Sequence, residues 1–184
     1  LDFHQGWGRQ TVRVPQELNY LKTYYQHDDR SPFCGFHGYY RFGANREQIR
    51  AKIAKENPDV VAISSLFSPY YREALEVAEI CKNSTPNIRV VVGGSHVSSC
   101  PESVLSSGFV DYVIVGEGER ALIELVEHLR DLRPLSDVSS LGYKKGESFV
   151  FNEKKESTDL SLLPFPDFAD LPMANYLYEG KPLT

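Results

Sequence analysis

Three short apolar segments rich in Val and Ile recur along the middle of the chain. They are residues 59–66 (DVVAISSL), 88–94 (IRVVVGG) and 111–116 (DYVIVG). Unbroken apolar runs of this length are typical of strands buried on both faces, as in a parallel sheet. Around them, apolar residues recur at helical spacing and predict helices over 45–57, 70–83 and 119–132. This alternation favours an α/β fold with a Rossmann-like (flavodoxin-like), doubly wound parallel sheet.

The pattern changes towards both ends of the chain. Residues 141–153 alternate around a Lys-Gly-Glu turn and predict a β-hairpin. Residues 159–172 hold three prolines among apolar residues, which predicts an ordered linker. Near the start, 14–26 is compatible with a helix, and 27–45 reads as a long loop rich in aromatic residues and His. We therefore expect a Rossmann-like domain over residues 1–133, followed by a hairpin and linker over 134–184.

Composition removes several classes of function. The net charge of −5 offers no basic surface for nucleic acid. No apolar run approaches the ~20 residues of a membrane span. The cysteines, Cys34, Cys81 and Cys100, are odd in number and lack CxxC spacing. That pattern argues against a disulfide framework and against a metal centre built by this chain, and it favours a reducing, cytoplasmic location.

Each predicted strand ends in small or polar residues, at the carboxyl edge where open α/β sheets bind ligands. The residues are Ser64, Ser65 and Leu66; Gly93, Gly94, Ser95 and His96; and Gly116, Glu117, Gly118 and Glu119. The serines could bond a ligand, or they could form a plain turn in which Ser68 caps the next helix. The paired glycines could admit a ligand to the backbone, or could only make a tight turn. The third turn lacks GK[ST] and carries two carboxylates, so it is not a P-loop.

The order S-x-L, GG and GEGE resembles the cobalamin-binding domain that precedes the radical-SAM barrel in vitamin-B12-dependent radical-SAM enzymes. The likeness is strongest over residues 57–129 and weaker on both sides, where 39–43 and 162–168 also resemble family segments. The resemblance implies that the three turns form the pocket for the nucleotide tail of cobalamin. It further implies a methyltransferase or cyclase in which this domain holds cobalamin and is not catalytic on its own.

Two family features are missing from these residues. The histidine motif DxHxxG finds only an imperfect match in 2–8 (DFHQGWG), so we expect no cobalt ligand from His4 and a base-off cofactor. The cluster motif CxxxCxxC does not occur. The resemblance therefore implies that S-adenosylmethionine and the [4Fe–4S] cluster belong to a barrel elsewhere in the same polypeptide, the expected partner of this domain.

Two other readings stay open on sequence alone. A degenerate scaffold of the same fold would bind no cobalamin. A flavodoxin-like or receiver domain would need a phosphate loop or an acidic pair after its first strand, and no clear first strand precedes residue 14. If Gly94 does not require a positive φ, Gly94→Val should abolish cobalamin binding and leave the domain folded.

Overall fold

The computed structural model describes residues 2–3, 6–23, 39–85, 87–154, 161, 163–169, 171, 173, 176–178 and 181–182. The strands are β1 (Arg9–Val12), β2 (Tyr39–Phe42), β3 (Val60–Ser64), β4 (Arg89–Gly93), β5 (Tyr112–Ile114), β6 (Leu141–Lys145), β7 (Ser148–Phe151), β8 (Leu177–Tyr178) and β9 (Lys181–Pro182). The α-helices are α1 (Arg46–Glu56), α2 (Tyr71–Ser84), α3 (Ser95–Ser99), α4 (Pro101–Leu105) and α5 (Glu119–Leu129). Short 3-10 helices cover Gln16–Thr23, Ser68–Tyr70 and Leu135–Asp137.

The chain divides into two compact units. One is Arg46–Phe165, and the other combines Leu1–Asn45 with Pro166–Thr184. In the second unit, β1 pairs antiparallel with β2, and β8 pairs antiparallel with β9. Neither limit of these compact units falls between residues 133 and 134, where the sequence predicted a domain boundary. That boundary stays a prediction.

The unit Arg46–Phe165 contains a five-stranded sheet in the order β3-β4-β5-β6-β7. The predicted strands β3, β4 and β5 run parallel, as expected. The predicted hairpin is confirmed as β6 and β7, and Gly146 takes a φ of +61° in its turn. The hairpin is not an appendage, because Leu141 of β6 pairs antiparallel with Ile114 of β5 and extends the same sheet.

Helices pack on the middle of the sheet, whereas the edge strand β3 leaves Ala62 and Ser64 exposed, so the prediction that β3 is buried on both faces is wrong. Val90, Val91 and Val92 follow one another in β4 and are all buried, so both faces of this strand are covered. On one face, Ala121 and Leu125 of α5 pack in a cluster with Val91. Helix α2 also contacts β3 and β4. The predicted α/β class is thus confirmed.

Several expectations differ from the structure. No clear strand was expected before residue 14, yet β1 lies there and pairs with β2 rather than with the parallel strands. Residues 39–42, predicted as part of a long loop, form β2, whose aromatic residues favour an extended strand. The segment 14–26 contains a 3-10 helix rather than an α-helix. Helix α3 was expected as part of a turn, and it forms directly after Gly94.

Candidate functional site

The three strand-end turns meet at the carboxyl edge of the parallel strands. Ser64 and Gly93 are register partners in adjacent strands. Beyond them, the Ser65 N–H donates to the Gly93 carbonyl at 2.8 Å, and the His96 N–H donates to the Ser65 carbonyl at 3.2 Å. The Gly116 N–H donates to Ser98 Oγ at 2.9 Å and brings the third turn to the same place. The predicted convergence of the three turns is confirmed.

Helix α3 joins these turns through its side chains. Ser95 Oγ donates to the Leu66 carbonyl at 2.5 Å, which ties α3 to the first turn. Ser98 Oγ donates to the Gly94 carbonyl at 3.1 Å while it accepts from the third turn. Sequence reasoning missed Ser98, because its role depends on contacts across 18 residues of chain.

Ser68 and His96 form a second link between the first two turns. His96 Nδ1 lies 2.9 Å from Ser68 Oγ, and its ring lies 5.0 Å from the ring of Tyr71. Neither the 3-10 helix that begins at Ser68 nor α2 has a side-chain cap. The alternative in which Ser68 caps the following helix is therefore wrong, since its hydroxyl bonds to His96 instead.

Two polar atoms at this edge are buried without a hydrogen-bond partner within the described part of the chain. They are Ser65 Oγ and His96 Nε2, in side chains whose residues are only 5% and 8% exposed. An unsatisfied buried donor or acceptor costs about 1–3 kcal/mol, and native structures contain few of them. Both atoms belong to predicted site residues.

The paired glycines have different tasks. Gly94 has a φ of +111°, and a Cβ there would lie 2.5 Å from the Ser65 carbonyl oxygen. The fold itself therefore requires glycine at this position. Gly93 has no positive φ, and a Cβ there would meet nothing within 4 Å. Gly93 is half-buried, and open space of this kind beside a glycine is where a ligand can approach the backbone closely.

The third turn is acidic and lies beside a lysine. Gly116 has a φ of +93°, and a Cβ on it would lie 3.7 Å from Lys154 Nζ. Glu119 starts α5, where the positive end of the helix dipole favours a carboxylate. Sequence reasoning did not include Lys154, which lies far along the chain after the hairpin.

Comparison with known proteins identifies the family. The profile described as "B12 binding domain" matches residues 34–126, slightly more than half of the chain. The chain belongs to the B12-binding domain family. The predicted resemblance is thereby confirmed.

Relatives of this B12-binding domain include methyltransferases and cyclases. An uncharacterized methyltransferase of Pyrococcus horikoshii is 38% identical over 72% of this chain and 29% of its own length. The anaerobic magnesium-protoporphyrin IX monomethyl ester cyclase of Rubrivivax gelatinosus is 27% identical over 73% of this chain and 25% of its own. The chain thus spans less than a third of each of these two relatives.

A solved structure supports the fold of the B12-binding domain. The cobalamin-dependent S-adenosylmethionine radical enzyme OxsB, with aqua-cobalamin and S-adenosylmethionine bound, superposes with a TM-score of 0.55. It is 20% identical and is matched over 62% of this chain and 16% of its own. At this identity the likeness supports a shared fold and does not assign individual residues.

The buried carboxylate of Glu124 holds the segment that bonds to the third turn of the B12-binding domain. Glu124 of α5 is 3% exposed, and its Oε2 accepts the Ser139 N–H at 2.7 Å as well as the Ser139 hydroxyl. The next residue, Ser140, accepts the Val115 N–H at 2.9 Å, directly before Gly116. Glu124 therefore fixes the loop on which the third turn rests.

The imperfect DxHxxG segment makes other contacts. The Asp2 carboxylate accepts a hydrogen bond from the Tyr176 hydroxyl, which raises the pKa of Tyr176. Trp7 Nε1 donates to the Asp2 carbonyl at 3.2 Å. His4 lies outside the described residues. So do most aromatic and His residues of the predicted loop, namely Tyr25, His27, Phe33, Phe36 and His37, together with Cys34 and Leu162.

Metal and membrane features were searched over the part of the chain that the structure describes. There, no group of three or more His, Cys, Asp or Glu side chains is placed to hold a metal ion. In the same residues, no helix combines the length and the apolar character needed to cross a membrane.

Proposed function

We propose that this domain binds cobalamin at the carboxyl edge of its sheet, as the cofactor-binding part of a B12-dependent radical-SAM methyltransferase or cyclase. Family membership supports the cofactor, and the names of the relatives support the two reaction types. The observation that carries the proposal is the pair of buried atoms, Ser65 Oγ and His96 Nε2, that lack a hydrogen-bond partner within the described residues and lie in the turns beside Gly93.

The residues fit the polar tail of cobalamin better than its corrin ring. Ser65 Oγ and His96 Nε2 are buried and lack partners within the described residues, which suits a narrow group bearing a hydroxyl or an amide better than a broad ring. In the proposed site, Ser64 and Leu66 flank these atoms, and Gly93 leaves open space where a side chain would otherwise lie. Compensating two unpaired buried groups would contribute about 1–3 kcal/mol each to binding.

The remaining predicted residues frame this pocket. Gly94 and Ser95 hold the second turn, and the turn of Gly116, Glu117, Gly118 and Glu119 closes the third side. Its two carboxylates disfavour a polyphosphate and are compatible with a ligand that carries a single phosphate.

When bound, cobalamin supplies a cobalt centre that can carry and transfer a methyl group. The task proposed for this chain is to bind and orient that cofactor. His96 is committed to Ser68 through Nδ1 and is buried at Nε2, so it is placed to hydrogen-bond rather than to ligate cobalt. We therefore propose base-off cobalamin with no histidine ligand from this domain.

The partner in this proposal is a radical-SAM barrel of the same polypeptide, which would hold S-adenosylmethionine and the [4Fe–4S] cluster. The lengths of the relatives support it, since this chain covers only 16–29% of those compared. The expected cytoplasmic location stays a prediction.

Titration of the protein with hydroxocobalamin, followed by visible absorbance, tests the binding. We expect saturable binding at one site. After reduction, the cob(II)alamin EPR spectrum should lack nitrogen superhyperfine splitting, and His4→Ala should leave it unchanged. Splitting that disappears in His4→Ala would contradict the ligand assignment. An absence of binding would favour the degenerate scaffold.

A further inference from the structure

The hydroxyl of Ser98 makes two hydrogen bonds to different turns of the proposed site. Ser98 Oγ donates to the Gly94 carbonyl at 3.1 Å and accepts the Gly116 N–H at 2.9 Å. A serine hydroxyl has one donor and two acceptor lone pairs, so it can make both bonds at once. Ser98 thus connects the second turn to the third directly.

The hydrogen bond to the Gly94 carbonyl is of a common kind, whereas the bond from the Gly116 N–H is not. Helical serines often donate to the carbonyl four residues earlier. Ser84, Ser99 and Ser106 do so here, to Ile80, Ser95 and Glu102 respectively. Ser98 adds an amide from a turn that lies 18 residues further along the chain. Because it makes both hydrogen bonds, the Ser98 hydroxyl connects two turns, whereas the hydrogen bonds of the other three serines stay within their own segments.

The bond reaches the third turn at a critical residue. Gly116 has a φ of +93°, a conformation that is set by its surroundings rather than by an element of regular structure. The preceding amide, on Val115, is held by the Ser140 carbonyl. The turn is thus fixed from the hairpin side by Ser140 and from the α3 side by Ser98.

We propose that Ser98 is a positioning residue of the cofactor site, which sets the separation between the Gly93-Gly94 turn and the Gly116–Glu119 turn. The inference rests on the proposed function, because a tail that spans both turns binds best when their spacing is fixed beforehand. Ordering two loosely held turns at the moment of binding would reduce affinity. Ser98 itself need not touch the ligand.

Three variants of the full chain test this inference. Ser98→Ala removes both bonds, Ser98→Thr keeps the hydroxyl, and Ser99→Ala removes a back-bond of the same kind from the same helix without a cross-turn contact. Two measurements apply to each variant: amide hydrogen exchange at Gly116 by NMR without ligand, and the dissociation constant for hydroxocobalamin. Thermal unfolding checks that all variants are equally folded.

We expect Ser98→Ala to expose the Gly116 amide to faster exchange and to raise the dissociation constant by about two- to tenfold, the equivalent of one neutral hydrogen bond. Ser98→Thr and Ser99→Ala should both behave as the unchanged protein. Unaltered Gly116 exchange in Ser98→Ala would overturn the inference, and so would an equal loss of affinity in Ser99→Ala.

The outcomes separate this inference from the proposed function. If the unchanged protein binds no hydroxocobalamin, the proposed function fails and the positioning role fails with it. If it binds and Ser98→Ala binds equally well despite faster exchange at Gly116, the positioning role alone fails.

Discussion

Gly93 and Gly94 are adjacent, yet alanine at each should affect a different property of the protein. A Cβ at Gly94 would lie 2.5 Å from the carbonyl oxygen of Ser65 and 2.8 Å from its carbonyl carbon. Both atoms belong to the backbone and cannot rotate away. A Cβ at Gly93 would meet nothing within 4 Å. We predict that Gly94→Ala impairs stability and that Gly93→Ala impairs cobalamin binding alone.

The magnitudes follow from these contacts. Alanine at the φ of +111° held by Gly94 costs about 1–3 kcal/mol in backbone strain, and relieving the overlap with Ser65 costs about 1–3 kcal/mol more. The sum of about 2–6 kcal/mol corresponds to a fall in Tm of roughly 5–20 °C for a protein of this size. Gly93→Ala should change the free energy of unfolding by no more than about 0.5 kcal/mol.

The assay combines urea denaturation with hydroxocobalamin titration of both variants. For Gly93→Ala, we expect the affinity to fall about tenfold or more, equivalent to about 1.4 kcal/mol. Wild-type affinity in this variant would show that the backbone at Gly93 is not a ligand surface. An unchanged free energy of unfolding in Gly94→Ala would refute the steric reasoning. The earlier prediction for Gly94→Val assumed that Gly94 does not require a positive φ. Gly94 does have a positive φ, so that variant cannot test cobalamin binding in an otherwise intact fold.

Three further predictions use buried polar groups. Ser65→Ala removes an unpaired hydroxyl, so the unliganded protein should be as stable as before or up to about 1 kcal/mol more stable. The same variant should bind hydroxocobalamin more weakly, and equal affinity in the titration would contradict this prediction. Glu124→Ala should lower the free energy of unfolding in urea by about 2–4 kcal/mol because both Ser139 donors lose their acceptor, whereas Ser139→Ala should cost only about 1 kcal/mol. Burial raises the pKa of Cys81 from 9.0 to about 11. The native thiol therefore keeps its proton where the unfolded one loses it, so stability should fall as pH rises from 9.0 to about 11, and Cys81→Ala should show a smaller fall.

Much of the fold could be predicted because its signals are local. A buried strand requires a continuous apolar run, and β4 and β5 each have one, with two or more buried residues. The apolar run of β3 also predicted a strand, but β3 lies at the edge of the sheet and its predicted burial is wrong. The hairpin was visible in its alternation and in Gly146. Helix α3 was not, since its five residues include three serines with modest helix propensity. Its formation depends on carbonyl groups supplied by other turns, which no local pattern reveals.

The site was predictable in outline and not in detail. Parallel strands place their carboxyl ends at one edge, so the three turns could be brought together from sequence. Which glycine the fold requires could not be known, because the distance from Gly94 to Ser65 arises from the register of β3 on β4. Ser98 and Glu124 bond to residues far away in sequence, and Lys154 lies beside the distant Gly116. The residue types of all three are common on ordinary helix and loop surfaces.

The hydrogen bonding at this edge supports the proposed binding site over a simple set of turns. The backbone N–H groups of Ser65 and His96 donate to the carbonyls of Gly93 and Ser65, and the Gly116 N–H donates to the Ser98 hydroxyl. A turn that served only to reverse the chain would have no use for further polar atoms beneath its surface. Ser65 Oγ and His96 Nε2 are nevertheless buried and unpaired among the described residues, and apolar side chains there would avoid the cost. A rigid frame that satisfies its own backbone and leaves two inward polar atoms unmet is suited to a ligand that brings the missing partners.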